Sequence, residues 1–147
     1  MGVTATTLYD TDFYEWTAQS AEQLRQGRLD GLDLEHLAEE IEDLGKRDRW
    51  EVHNRLRELI MHLLKWQIQP ERREGSTWRS TIDTQRADLE PIFGLSPSLR
   101  RYAAEDLPKT YAKAARQALR ETGKNPSALA RECPFSLEQI LDDEFLP

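Results

Sequence analysis

Glu58 and His62 stand four residues apart in Arg57-Glu58-Leu59-Ile60-Met61-His62-Leu63-Leu64-Lys65-Trp66-Gln67, the most apolar helical run of the chain. On a helix that spacing makes them neighbours. A carboxylate beside an imidazole can share a metal ion, or it can orient a general base. Glu58 and His62 are the catalytic candidates on that ground. The plainer role is an ion pair at the edge of a buried face, and it carries more weight. Such pairs are ordinary in helices and stabilise them by only ~0.2–0.5 kcal/mol.

Two further sets have chemistry-bearing types. Glu35, Glu39 and Glu42 form an acid stripe on one helical face, and carboxylates so placed can hold Mg²⁺ or Mn²⁺ through oxygen ligands. Glu39-Glu40-Ile41-Glu42 resembles the first half of the metal motif of all-α nucleotide pyrophosphohydrolases. The second half, Glu-x-x-Asp, fails, because Met61 lies three residues after Glu58 and His62 one beyond. The metal candidates are therefore Glu39, Glu42, Glu58 and His62, against the ordinary reading of a solvated acidic face. The third set is basic and aromatic: Lys65, Trp66, Arg72, Arg73, Trp78 and Arg79, with Arg86 two turns on. Arginine forks grip phosphates and aromatic rings stack on bases, which makes Arg72, Arg73 and Arg79 anion-binding candidates. The alternative places Trp66 and Trp78 in the core and pairs the arginines with nearby acids. Gln85 falls on an apolar face and needs a partner there. Cys133 is read as structural, because Arg131 and Glu132 beside it cancel and leave no field to activate a thiol.

Helices must position these residues. Asp10-Thr11-Asp12 offers caps for a helix ending at Gly27, and Asp33 caps the next. Leu34, Leu37, Ala38, Ile41 and Leu44 share one face of that second helix, and Val52, Leu56, Leu59, Ile60 and Leu63 continue the pattern. A straight helix over 34–69 would span ~54 Å, so a bend is expected near Gly45 to Asp48. Pro70 closes this element. Ser76 is the expected cap of a helix carrying Trp78, Ile82, Leu89 and Phe93, with Gly94 as its stop. Ser96-Pro97 starts another, which Pro108 should kink or divide before Gly123 ends it. Ser136-Leu137-Glu138-Gln139 resembles a capping box. No segment alternates as a strand does. The expectation is an all-α, single-domain, irregular bundle of about five to six helices over 10–147, behind a flexible stretch at 1–9.

The totals narrow the function. With 147 residues the chain can bury a core without staples, and one cysteine cannot form an internal disulfide. No apolar run approaches the ~20 residues of a membrane span, and the N-terminus lacks the pattern of a signal peptide; a soluble cytoplasmic protein is expected. The net charge of −7 disfavours nucleic acid, although Val52 to Arg86 carries seven bases against four acids. No phosphate loop, nucleophile elbow, His-Glu-x-x-His helix or paired Cys-x-x-Cys occurs.

Several stretches together resemble the bacterial domain-of-unknown-function family 29: Leu8 to Trp16, Leu37 to Gly45, Met61 to Gln67, Trp78 to Ile82 and Cys133 to Asp142. The resemblance implies an all-α fold and no activity. The function is thus unknown from sequence, with a small helical protein that acts through a protein partner or homo-oligomer as the leading reading. Two alternatives stand beside it. One is a metal-dependent phosphate-ester or nucleotide hydrolase, in which Arg72, Arg73 and Arg79 clamp phosphate. The other is a nucleic-acid binder using the basic and aromatic set. No cofactor is evident, and a divalent metal belongs only to the hydrolase reading.

Overall fold

The computed structural model describes residues 7–147. Among them every regular element is helical: α1 (Leu8–Thr11), α2 (Phe13–Arg25), α3 (Leu34–Ile68), α4 (Trp78–Leu95), α5 (Pro97–Thr122) and α6 (Leu137–Leu141), with 3-10 turns at Pro70–Arg72 and Pro126–Ala128. The chain divides into two compact units, one up to Lys46 and one from Arg47.

Local sequence explains most element ends. Asp12 accepts from the Glu15 N–H at the start of α2, and Asp33 accepts from the His36 N–H at the start of α3. Gly123 closes α5 at φ 68°, in the left-handed region that glycine enters without a Cβ penalty. Ser136 and Gln139 form the expected capping box on α6.

Four expectations are corrected. No break occurs near Gly45: α3 is a single helix from Leu34 to Ile68. A single mid-helix glycine costs only ~1 kcal/mol against alanine. Glu42–Lys46 and Asp43–Arg47 have the acid-first i, i+4 order that supports a helix across it. Pro108 does not divide α5, since its neighbours carry the helix past one missing N–H. Gly94 lies inside α4, which also accommodates Pro91 and ends at Ser96. Thr77 rather than Ser76 takes the cap position of α4, while Ser76 Oγ accepts from the Trp78 N–H at 3.4 Å. Of the stretch expected to be flexible, residues 1–6 lie outside the described residues; Leu8 and Tyr9 are in α1.

In the first unit, Trp16 and Ser20 are buried. Tyr9 stacks on His36 at 3.8 Å between ring centroids and meets Trp16 edge-on at 4.8 Å. Its hydroxyl donates to Glu40 at 2.6 Å.

In the second unit, Val52, Leu56, Leu59, Ile60, Met61, Leu63 and Leu64 of α3 are all buried. They pack with Ile82, Leu89 and Phe93 of α4, with Tyr111, Ala114 and Ala118 of α5, and with Leu137 and Ile140 of α6. Apolar residues at positions 3 and 4 apart make that face, and the small residues of α5 let it approach. Tyr111 donates to the Ala130 carbonyl at 2.6 Å, tying down the segment before α6.

Candidate functional site

The predicted pair comes together through the backbone. His62 Nδ1 lies 2.7 Å from the Glu58 carbonyl oxygen but 3.9 Å from its carboxylate. The ring therefore donates Nδ1–H to the helix one turn back, and the carboxylate orients it only loosely. Glu39 and Glu42 lie on the same unbroken helix, and Glu42 is about four turns from Glu58. Among the described residues no three His, Cys, Asp or Glu side chains stand close enough to share a metal. Glu39 and Glu42 belong to the first unit, Glu58 and His62 to the second.

The basic and aromatic set is largely engaged within the protein. Lys65 pairs with Glu121 at 2.8 Å, and Arg79 pairs with Asp83 at 3.2 Å. Arg73 donates to the Trp66 carbonyl at 2.7 Å and lies over the Trp66 ring. Arg72 is exposed in the 3-10 turn. Arg86 is 3% exposed and lies within the core; it donates at 2.8 Å each to the carbonyls of Ile140 and Phe145. Burial lowers its pKa, while Asp143 opposes that shift. Gln85 finds its partner in Arg55 at 3.3 Å, which also binds Asp88 at 2.9 Å. Cys133 is half-buried and donates to the Phe135 carbonyl, and burial pushes its thiol pKa up, away from a reactive thiolate.

Two features were not expected. The first is the titrating cluster around Tyr9. Its bond to Glu40 pushes the Tyr9 hydroxyl up to about 12. His36 is raised by the Asp33 carboxylate beside it, and Asp33 is lowered in return. The second is the exposure of the apolar face at Leu34 to Leu44. Leu34, Ile41 and Leu44 are 62%, 68% and 60% exposed, and residues 41–51 are all exposed. Their spacing of seven and then three places them on one side of α3, as in the seam of a coiled coil. Ala38 and Gly45 lie on one flank of that seam, and beyond the backbone of its own helix nothing lies within 4 Å of where a Cβ would stand at Gly45. Glu35 and Glu42 lie beyond these small residues, with Glu40 on the other flank. Periodicity marked this stripe correctly; it says nothing about what covers it.

A family model described as "Domain of unknown function DUF29" matches residues 8–146. Comparison with curated proteins and with solved structures found no match.

Proposed function

The chain belongs to the DUF29 family, a domain of unknown function, and from its own geometry we propose that it is a protein-interaction module whose α3 face docks an amphipathic helix with basic flanks. The observation that carries this reading is the exposure of Leu34, Ile41 and Leu44 on one side of a helix. Large apolar side chains aligned on an open face are a recognised mark of a docking surface. An amphipathic helix covers such a stripe with its own i, i+3, i+4, i+7 anchors. Ala38 and Gly45 let the partner backbone come close.

Charge selects the occupant. Residues 34–46 carry five acids against one lysine. A second copy laid on this face in either direction would set its acids against the same acids, Glu35 against Asp43 in the antiparallel case that pairs Leu34 with Leu44. An anionic lipid surface would be repelled. A partner helix whose apolar stripe is edged by Lys and Arg meets none of these penalties. The reading places the module in a bacterial cytoplasm, supported by its single, unpaired cysteine and by the lack of any membrane-crossing helix among the described residues.

The test is fluorescence anisotropy with a labelled Leu/Lys amphipathic helical peptide, using the full chain and its Ile41→Glu/Leu44→Glu variant. Both side chains are exposed, so the variant keeps its fold. Covering their remaining apolar surface contributes ~2–4 kcal/mol, so the variant should bind about 30- to 1000-fold more weakly. Equal binding by the two proteins refutes the reading. Self-association of the parent, abolished in the variant, would replace the partner helix with a second copy.

A further inference from the structure

A second, separate surface lies within the unit from Arg47. Lys109, Lys113, Arg116 and Arg120 are spaced four, three and four residues apart on α5, which stacks them along one face. Like charges at those spacings work against the helix. Three of them face α3 across a groove of about 480 Å³, lined by Arg49, His53, Asp106, Lys109, Lys113 and Arg116. That volume falls in the range of small-ligand sites.

The groove holds four cations against one carboxylate, and the carboxylate is already committed. Asp106 accepts from Arg49 Nη2 at 2.8 Å and from Arg49 Nε at 3.2 Å. Arg49 also lies over the Tyr102 ring at 4.4 Å, so it is held in place before any ligand arrives. Among the described residues no carboxylate lies within 4.0 Å of Lys109, Lys113 or Arg116. Three positive charges therefore face the groove unanswered on a protein whose net charge is −7.

The α3 wall carries a second mark. Among the described residues, the buried side-chain atoms without a hydrogen-bond partner are His53 Nε2 and Arg57 Nε. His53 lines the groove, and Arg57 lies one turn further along α3. The Thr110 hydroxyl is 3.1 Å from His53 Nδ1 and 3.1 Å from the Asp106 carbonyl oxygen. With the hydroxyl donating to that carbonyl, Nδ1 carries the ring proton and Nε2 is a lone pair shut away from water. Burial first, then Lys113 and Arg57, hold the ring neutral, and Asp106 opposes them.

We infer that this groove binds an anion carrying two or more phosphoryl groups. A phosphoryl monoester carries about −1.5 to −2 near neutral pH, so one group leaves the three free cations partly unanswered and two balance them. Lys109, Lys113 and Arg116 span ~10 Å along α5, enough for a phosphoryl chain to touch each in turn. Lysines neutralise as point charges, and the Arg116 fork adds direction. The inference is independent of the docking face on α3.

Isothermal titration calorimetry at fixed ionic strength tests it with orthophosphate, pyrophosphate, ADP and a single-stranded oligonucleotide. Pyrophosphate should bind one to one, about tenfold or more tighter than orthophosphate. The Lys113→Glu/Arg116→Glu variant, at two exposed positions, should lose about tenfold or more while its circular dichroism is unchanged. Equal affinity for pyrophosphate and ADP identifies the phosphoryl chain as the ligand, and tighter ADP binding adds a nucleoside to it. A bound anion offsets Lys113 and Arg57, so the His53 pKa read by NMR should rise. No pyrophosphate binding, equal affinity for ortho- and pyrophosphate, an unaffected double variant, or binding confined to the oligonucleotide would each overturn the inference.

Discussion

Replacing Arg86 with methionine should loosen the C-terminal segment more than any other single polar change in the second unit. Arg86 reaches from α4 to the chain more than fifty residues later, and the residue is 3% exposed. Its two bonds at 2.8 Å, to the Ile140 and Phe145 carbonyls, are charge-assisted; a third, to Asp143 at 3.5 Å, is too long to contribute much. Each good bond from a charged donor contributes ~1.5–3 kcal/mol net. Against that stands the desolvation of the guanidinium, visible in its lowered pKa. Methionine recovers that desolvation and fills much of the volume, but it leaves the Ile140 carbonyl without a donor. The cavity of about 590 Å³ beside Arg86 is lined by Asp143, so water can take the place of the guanidinium there and trim the loss. The balance is ~3 kcal/mol. Urea unfolding followed by circular dichroism should show the midpoint falling by about 1–3 M, and amide exchange in α6 should speed up. Arg86→Lys keeps the charge but cannot serve both carbonyls at once, so it should fall between the two. A midpoint for Arg86→Met within about 0.2 M of the parent, with unchanged exchange in α6, would show that the C-terminal segment is held by its apolar contacts alone.

The His36–Asp33 contact has a signed pH dependence. The raised His36 pKa gives stability that is complete below its unfolded value of about 6.5 and is lost as pH rises through the folded one. The lowered Asp33 pKa gives stability present above about 3.9 and lost as pH falls through its folded value. NMR titration should therefore find His36 above 6.5 in the parent and lower in Asp33→Asn; an unchanged His36 value would remove the carboxylate as the cause. Leu63→Ala, at a fully buried position in the middle of α3, should cost ~3–5 kcal/mol in chemical denaturation, and a loss below about 1 kcal/mol would deny it a central place in the core. Pro108→Ala should raise stability by ~1–3 kcal/mol, because alanine restores the N–H that proline withholds inside α5. A lower midpoint would show that the ring's packing beside Leu107 and Phe135 outweighs the missing bond.

Some of this protein is written in short stretches of its chain. The caps at Asp12 and Asp33, the Ser136–Gln139 box and the glycine at the end of α5 are contacts between residues two to four apart, and their spacing alone specifies them. The core face from Val52 to Leu64 follows from helical periodicity in the same way. What covers a face is a different question. Leu34, Ile41 and Leu44 repeat with the same period as the core yet stand exposed, because periodicity fixes the side of a helix and not its neighbour. Arg86 read as one more member of the basic and aromatic set, since the carbonyls it serves come from the far end of the chain. The row Lys109, Lys113, Arg116 was legible as a row. Only the tertiary structure set Arg49 and His53 across from it and gave Asp106 to Arg49, and so left three cations facing one groove without a partner.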